Sequence, residues 1–219
     1  MPFAMRKLLA VLYLALGGLA AFAAKEFVAP EVHPALTYPA HEEHKNEGVT
    51  LAADPYDTQQ KADIFSVRYS EHGLMPIRLI ITNDTDQAVT LSDLKIQLIT
   101  ADRTRISPDN SDDLYRRLSK PQRNDQPTTS RLPLPRSQKV KGSLNQSTLD
   151  EIERAQFAAK AVEPHSTKAG FLFFDVEGIS QPLAGARFYV TGLRNANGGD
   201  LMFFEIPLDQ YLQAPRQKP

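Results

Sequence analysis

Ile77-Arg78-Leu79-Ile80-Ile81-Thr82, closed by Asn83-Asp84-Thr85-Asp86, is the stretch on which the fold of this chain turns. Ile77, Leu79 and Ile81 recur at every second position, the step that puts side chains on one face of a strand, and the Asn/Asp cluster after them is turn chemistry. Val89 and Leu91 resume beyond the turn, and Leu94, Ile96 and Leu98 repeat the two-residue step. Upstream, Val49 and Leu51 open one strand and Ile64, Val67 and Tyr69 another. Downstream, A-G-F-L-F-F-D-V at 169–176 is apolar on both faces, as expected of a strand covered on both sides of its sheet. Phe188 and Val190 follow. Asn195-Ala196-Asn197-Gly198-Gly199-Asp200 then forms a turn of residues that tolerate positive φ, residues 201–206 complete the hairpin, and 208–212 make a last helical turn. Seven or eight short strands without regular helices between them predict an all-β fold with antiparallel strands in two layers.

Between the two β-rich halves lies a segment of other texture, residues 107–161. Asp109 is expected to cap a helix over 111–118, and Ser147 or Thr148 a second one reaching about residue 160. Residues 121–146 are rich in Pro, Ser, Arg and Lys with no apolar period, which reads as an exposed loop. The whole segment is expected as a partly helical, partly irregular insertion at one end or edge of the sandwich. Loops of this length in a compact domain are usually functional or disordered.

Charge is divided between two segments. The 219-residue chain has a net charge of −1, yet residues 103–141 hold ten Lys/Arg against four acids, and residues 24–63 hold three Lys against eight acids. The basic stretch is the candidate interaction surface: Arg116, Arg117, Lys120, Arg123, Arg131, Arg136, Lys139 and Lys141. Such a surface suits an acidic envelope protein or an anionic envelope surface. Nucleic acid is not expected, since Tyr115 is the only aromatic residue there to stack on a base. The acidic arm is expected to lie against the basic insertion.

The N-terminus explains the expected location. Arg6 and Lys7 precede an apolar run over residues 8–22, and Ala21 and Ala23 close it in an A-x-A pattern, the signature of a secretory signal cleaved after Ala23. The alternative is a retained anchor, but this run of about 15 falls short of the about 20 residues that span a bilayer. The expected organisation is a signal over 1–23, an extended acidic arm over 24–48 broken by Pro30, Pro34 and Pro39, a β domain over 49–212, and a tail over 213–219. The place of work is then the periplasm or the outside of the cell, with no transmembrane anchor left after cleavage. No cysteine is present, so thiol chemistry, sulfur-ligated zinc and disulfides are excluded, and packing must hold the fold.

Candidate chemical sites weigh in favour of bland readings. His41-Glu42-Glu43-His44, with His33 upstream, is one residue short of H-E-x-x-H and sits in a proline-broken arm, so a solvated acidic arm is expected rather than a metal site. Asn83-Asp84-Thr85-Asp86 and Asp109-Asn110-Ser111-Asp112-Asp113 lack the Gly and the distal Glu of a calcium loop and read as a turn and a helix cap. There is no G-x-S-x-G. His165 and Ser166 are adjacent in sequence, which on a strand sends them to opposite faces, and His72 reads as part of a turn. Gly198-Gly199 is hairpin, not a phosphate loop. No catalytic residue, metal ligand or cofactor is expected.

Gly48-Val49-Thr50 with Ala52-Ala53-Asp54-Pro55-Tyr56, then Met75 through Asn83, then Glu163-Pro164-His165-Ser166 leading into Gly170-Phe171-Leu172-Phe173-Phe174-Asp175, form a recurring texture. It resembles uncharacterised exported bacterial proteins with an immunoglobulin-like β-sandwich domain. The resemblance covers about residues 48–100 and 163–212 and implies fold and export only. The expectation is a non-enzymatic, protein-binding module of the cell envelope. The alternative is a periplasmic or secreted protein that binds a glycan or a metal.

Overall fold

The computed structural model describes residues 26–119 and 144–215, so the expected signal lies outside the described residues. Strands dominate: β1 (His41–His44), β2 (Val49–Pro55), β3 (Leu74–Asn83), β4 (Val89–Thr90), β5 (Lys95–Ile99), β6 (Arg105–Ile106), β7 (Ala161–Val162), β8 (Ser166–Asp175), β9 (Arg187–Thr191) and β10 (Phe204–Pro207). They form antiparallel sheets in the orders β1-β2-β3-β8 and β10-β9-β5-β6, with β4 and β7 as a separate pair. The helices are few: α1 (Gln59–Ala62), α2 (Ser111–Leu118), α3 (Gln146–Ala155) and α4 (Asp209–Gln213). Among the described residues, no helix is long and apolar enough to cross a membrane.

The two-residue step of β3 does what it predicts. Ile77, Leu79 and Ile81 turn to one face and meet Leu51 and Ala53 of β2 and Phe174 of β8. The same buried cluster takes Ile96 and Leu98 from β5, Phe188 and Val190 from β9, and Phe204 and Ile206 from β10. Each ring or branched side chain buried there is worth about 1.5–3 kcal/mol. This core therefore belongs to both four-stranded sheets.

The opposite face of β8 is just as apolar, and it too is covered. Phe171 and Phe173 join Leu74, Tyr56, Phe65, Tyr69 and Phe27 in a second buried cluster, closed by Leu114 and Leu118 of α2 and Ile152 and Ala155 of α3. The described parts of the expected insertion therefore lie over the outer face of a sheet, not off its end. They also seal the outer edge of β8. Asp109 N–H donates to Phe173 O at 2.8 Å, and Phe157 N–H donates to Phe171 O at 2.9 Å. Gly170 is needed at this edge, because a Cβ there would stand 2.5 Å from Phe157 Cα.

Several expectations are corrected. Asn110 caps α2 and Asn145 caps α3; the Asp109 carboxylate faces Arg117 instead, and the Ser147 hydroxyl donates to Asn145. Helix α3 stops at Ala155 because Gln156 turns extended to bridge Phe171. Residues 64–69 are not a strand. Ile64 and Val67 lie three apart, the step of a turn, and a 3-10 turn over Tyr69–His72 follows. Residues 201–203 stay out of β10, leaving Met202 and Phe203 exposed. The arm is not solvated throughout its length. Phe27, Ala35 and Ala40 are buried, and β1 pairs with β2 from His41↔Ala52 to His44↔Val49. The buried Arg78 donates to Pro30 O at 2.7 Å and to Glu31 O at 3.1 Å, and Ala35 N–H donates to Thr82 Oγ1 at 2.8 Å.

Candidate functional site

Helix α2 brings Arg116 and Arg117 of the basic segment over the outer face of the β1-β2-β3-β8 sheet. The Asn110 side chain accepts the Asp113 N–H at 2.9 Å and so starts the helix. Arg116, well exposed, pairs with Asp113 one turn back. Arg117 is mostly shielded and serves three carboxylates: Asp175 at the end of β8, Glu177 at 3.3 Å and Asp109 at 3.5 Å. Asp109 Oδ2 faces Arg117 without closing a hydrogen bond, and its burial raises the acid's pKa against the pull of the guanidinium. Lys120, Arg123, Arg131, Arg136, Lys139 and Lys141 lie outside the described residues.

Beside Arg117 opens a groove of about 1240 Å³. Buried Tyr56, Phe65 and Tyr69 lie at its floor, while exposed Arg68 and Glu177 stand among the lining residues. Behind the lining residues Phe65, Arg68 and Tyr69 lies Glu151 of α3, a buried carboxylate. It accepts Ser66 N–H at 2.7 Å, Val67 N–H at 3.4 Å and the Tyr69 hydroxyl at 3.1 Å, and the Ser66 hydroxyl as well. Burial, and then the Glu151 charge, push the Tyr69 phenol far above its ordinary range. The Tyr56 phenol is pushed up to about 12 by burial and by Asp54.

The side of the groove nearest α4 is held by charge. Lys61 of α1 pairs with Asp54, and its ammonium lies 4.8 Å from the Tyr56 ring centre and 4.6 Å from that of Tyr211. Burial raises the Asp54 pKa despite the opposing Lys61 charge. The Tyr211 hydroxyl donates to Asp57 at 2.5 Å. Bound aromatic and charged side chains thus frame a preformed cleft.

The remaining candidates are used internally. Strand alternation puts His41 and His44 on opposite faces of β1, so the pair cannot share one ion. Among the described residues, no group of three or more His, Asp or Glu is arranged to hold a metal. Asn83 accepts the Thr85 N–H at 3.0 Å and donates to Gln87 O at 2.7 Å, which makes it a turn residue. His165 adopts a left-handed φ of 50° and meets Asp86 at 2.8 Å, while the Ser166 hydroxyl donates to Glu163 O. Ser166 therefore has no part in a pair with that imidazole. His72 lines the groove from the end of its 3-10 turn. The arm's carboxylates pair with His44, Lys45 and Arg154, and among the described residues none pairs with a cation of the 103–119 stretch.

Glu151 was missed by sequence reasoning, although a signal existed. Buried Thr148, Ile152 and Ala155 mark the inward stripe of α3, and Glu151 lies within that stripe. An acid on an apolar stripe predicts buried donors waiting for it. Arg78, alone between Ile77 and Leu79, carried a similar signal.

No protein-family model, curated protein or solved structure matches the chain.

Proposed function

We propose that this chain is an exported, non-enzymatic module of the cell envelope that binds an acidic protein partner through the face that carries α2. The observation that carries the reading is the groove beside Arg117, next to the helix that leads into the basic segment. The charge pattern of residues 103–141 and the secretory pattern of residues 1–23 support a cationic docking surface and export. The core shared by two antiparallel four-stranded sheets supports an immunoglobulin-like sandwich as the carrier.

The test is capture from envelope extract on immobilised chain, beside a variant with Arg116→Glu, Lys120→Glu and Arg123→Glu. A partner held by the native chain, released by salt and not held by the variant supports the reading. Capture indifferent to charge reversal overturns it. Stabilisation of the chain by a glycan or a divalent metal, without a protein partner, would instead favour a ligand-binding protein.

A further inference from the structure

We propose that three turns joining the strands form a binding cleft for a neutral saccharide, a ligand apart from the acidic partner. The turns are residues 45–48 between β1 and β2, 84–88 between β3 and β4, and 195–200 between β9 and β10. Between them opens a cleft of about 430 Å³, which shares no lining residue with the groove beside Arg117. Small-ligand sites run to roughly 300–1,000 Å³, so a mono- or disaccharide has room here. The turns are tied to one another, and the cleft is preformed. Asp84 N–H donates to Gly48 O at 2.8 Å, and a Cβ on Gly48 would stand 2.5 Å from Thr85 Cγ2. Arg194 N–H donates to Thr90 O at 3.0 Å, and Met202 N–H donates to Glu47 Oε1 at 2.9 Å. Within the third turn Asn195 Oδ1 accepts the N–H groups of Asn197 at 3.0 Å and Gly199 at 2.9 Å. A site already ordered avoids the cost of ordering it on binding.

The polar groups left over in this cleft suit hydroxyls. The exposed side-chain amides of Asn46 and Gln87 have no hydrogen-bond partner among the described residues. Asn195 spends its Oδ1 inside its own turn, which leaves its Nδ2 donors to the cleft. The carboxylates of the lining already have partners: Glu47 faces His44, Asp86 faces His165, and Asp200 pairs with Arg194. What the cleft offers is therefore paired donors and acceptors, not an unanswered charge. A side-chain amide donates and accepts, as a sugar hydroxyl does, whereas an anion or a metal ion would use only half of each amide. Ala88 and Leu201 in the lining give an apolar strip for the C–H face of a sugar ring. An acidic sugar would meet Asp86 and Asp200 and bind less well.

The test is NMR titration of the full chain with glucose, N-acetylglucosamine, maltose, chitobiose and glucuronate. Saturable amide shifts are expected at residues 45–48, 84–88 and 195–201 with at least one neutral sugar, and weaker ones with glucuronate. Asn46→Ala combined with Gln87→Ala removes two partnerless side chains, so the fold should stand while binding weakens about tenfold or more. Arg116→Glu, outside the cleft, should leave the shifts unchanged, so that failure here and failure of the acidic-partner reading are told apart. If no neutral sugar shifts these turns, if shifts fall only at the groove beside Arg117, or if the double variant binds as the native chain does, the cleft is not a saccharide site. Should that variant fail to fold, the titration of the native chain decides alone.

Discussion

Glu151 and Ser66, 85 positions apart in the chain, are joined by two bonds into the same carboxylate oxygen: Ser66 donates both its backbone N–H and its hydroxyl to Glu151 Oε2. Residues 64–68 lie in no strand or helix, and the acid on α3 accepts the backbone N–H groups of Ser66 and Val67 among them. The wall of the groove is a loop shaped by one side chain.

Replacing Glu151 with alanine leaves the Ser66 and Val67 N–H groups and the Tyr69 hydroxyl without their acceptor. The expected loss is about 3 kcal/mol, and Glu151→Gln, which keeps one carbonyl oxygen, should lose about 1 kcal/mol. Urea unfolding checks this: the midpoint should fall with little change in slope.

Gly170→Ala should destabilise by about 1–3 kcal/mol through overpacking, because the new methyl would meet the backbone of Phe157. Gly178, also a glycine but with nothing within 4 Å of a built Cβ, is the control. Its alanine variant meets only the cost of φ +81°, about 1–2 kcal/mol, without a clash. Removing the seal between Phe157 and β8 should raise hydrogen exchange at Phe157 in the Gly170 variant alone.

Asp54 sets a pH dependence whose sign follows from its raised pKa. The folded state holds the proton more tightly than the unfolded chain does. This contribution is therefore full below the ordinary aspartate value of 3.8 and is lost as pH rises through the titration of the folded Asp54. Asp54→Asn should remove that loss, so the variant gains stability relative to the native chain between acid and neutral pH. Denaturation across that range measures the difference, and a variant that instead weakens steadily as pH rises would contradict it.

The two arginines of α2 should behave differently. Arg116→Met breaks an exposed pair with Asp113 and should change stability by no more than about 0.5 kcal/mol. Arg117→Met takes the cation from Asp175, Glu177 and the shielded Asp109, and should cost about 1–3 kcal/mol. Equal melting temperatures for the two variants would count against a structural role for Arg117.

What the sequence disclosed depended on whether a residue faces the core. Ile77, Leu79 and Ile81 betray β3 because water and core alternate across it, and Phe171 and Phe173 show that β8 needs cover on both faces. Strand β1 left no such trace. His44 and Glu42 are polar residues whose partners, Phe204 and Glu205, lie about 160 positions away, and no local period reports on them. The groove was hidden for the same reason, since Arg117, Glu177 and Tyr56 converge only after β3 and β8 pair. The basic stretch was legible as charge, while the structural employment of Arg117 was not.

The buried guanidinium of Arg78 bears on the order of assembly. Its acceptors, the carbonyls of Pro30 and Glu31, precede it by nearly fifty positions, and the Ala35 N–H likewise waits for Thr82. Ribosomes deliver residues 26–40 early, yet those residues gain a seat only when β3 exists to receive them. The stretch made before β3 thereby settles only after it, and until then Ile80 and Ala52 stand uncovered for any helper that greets the nascent chain.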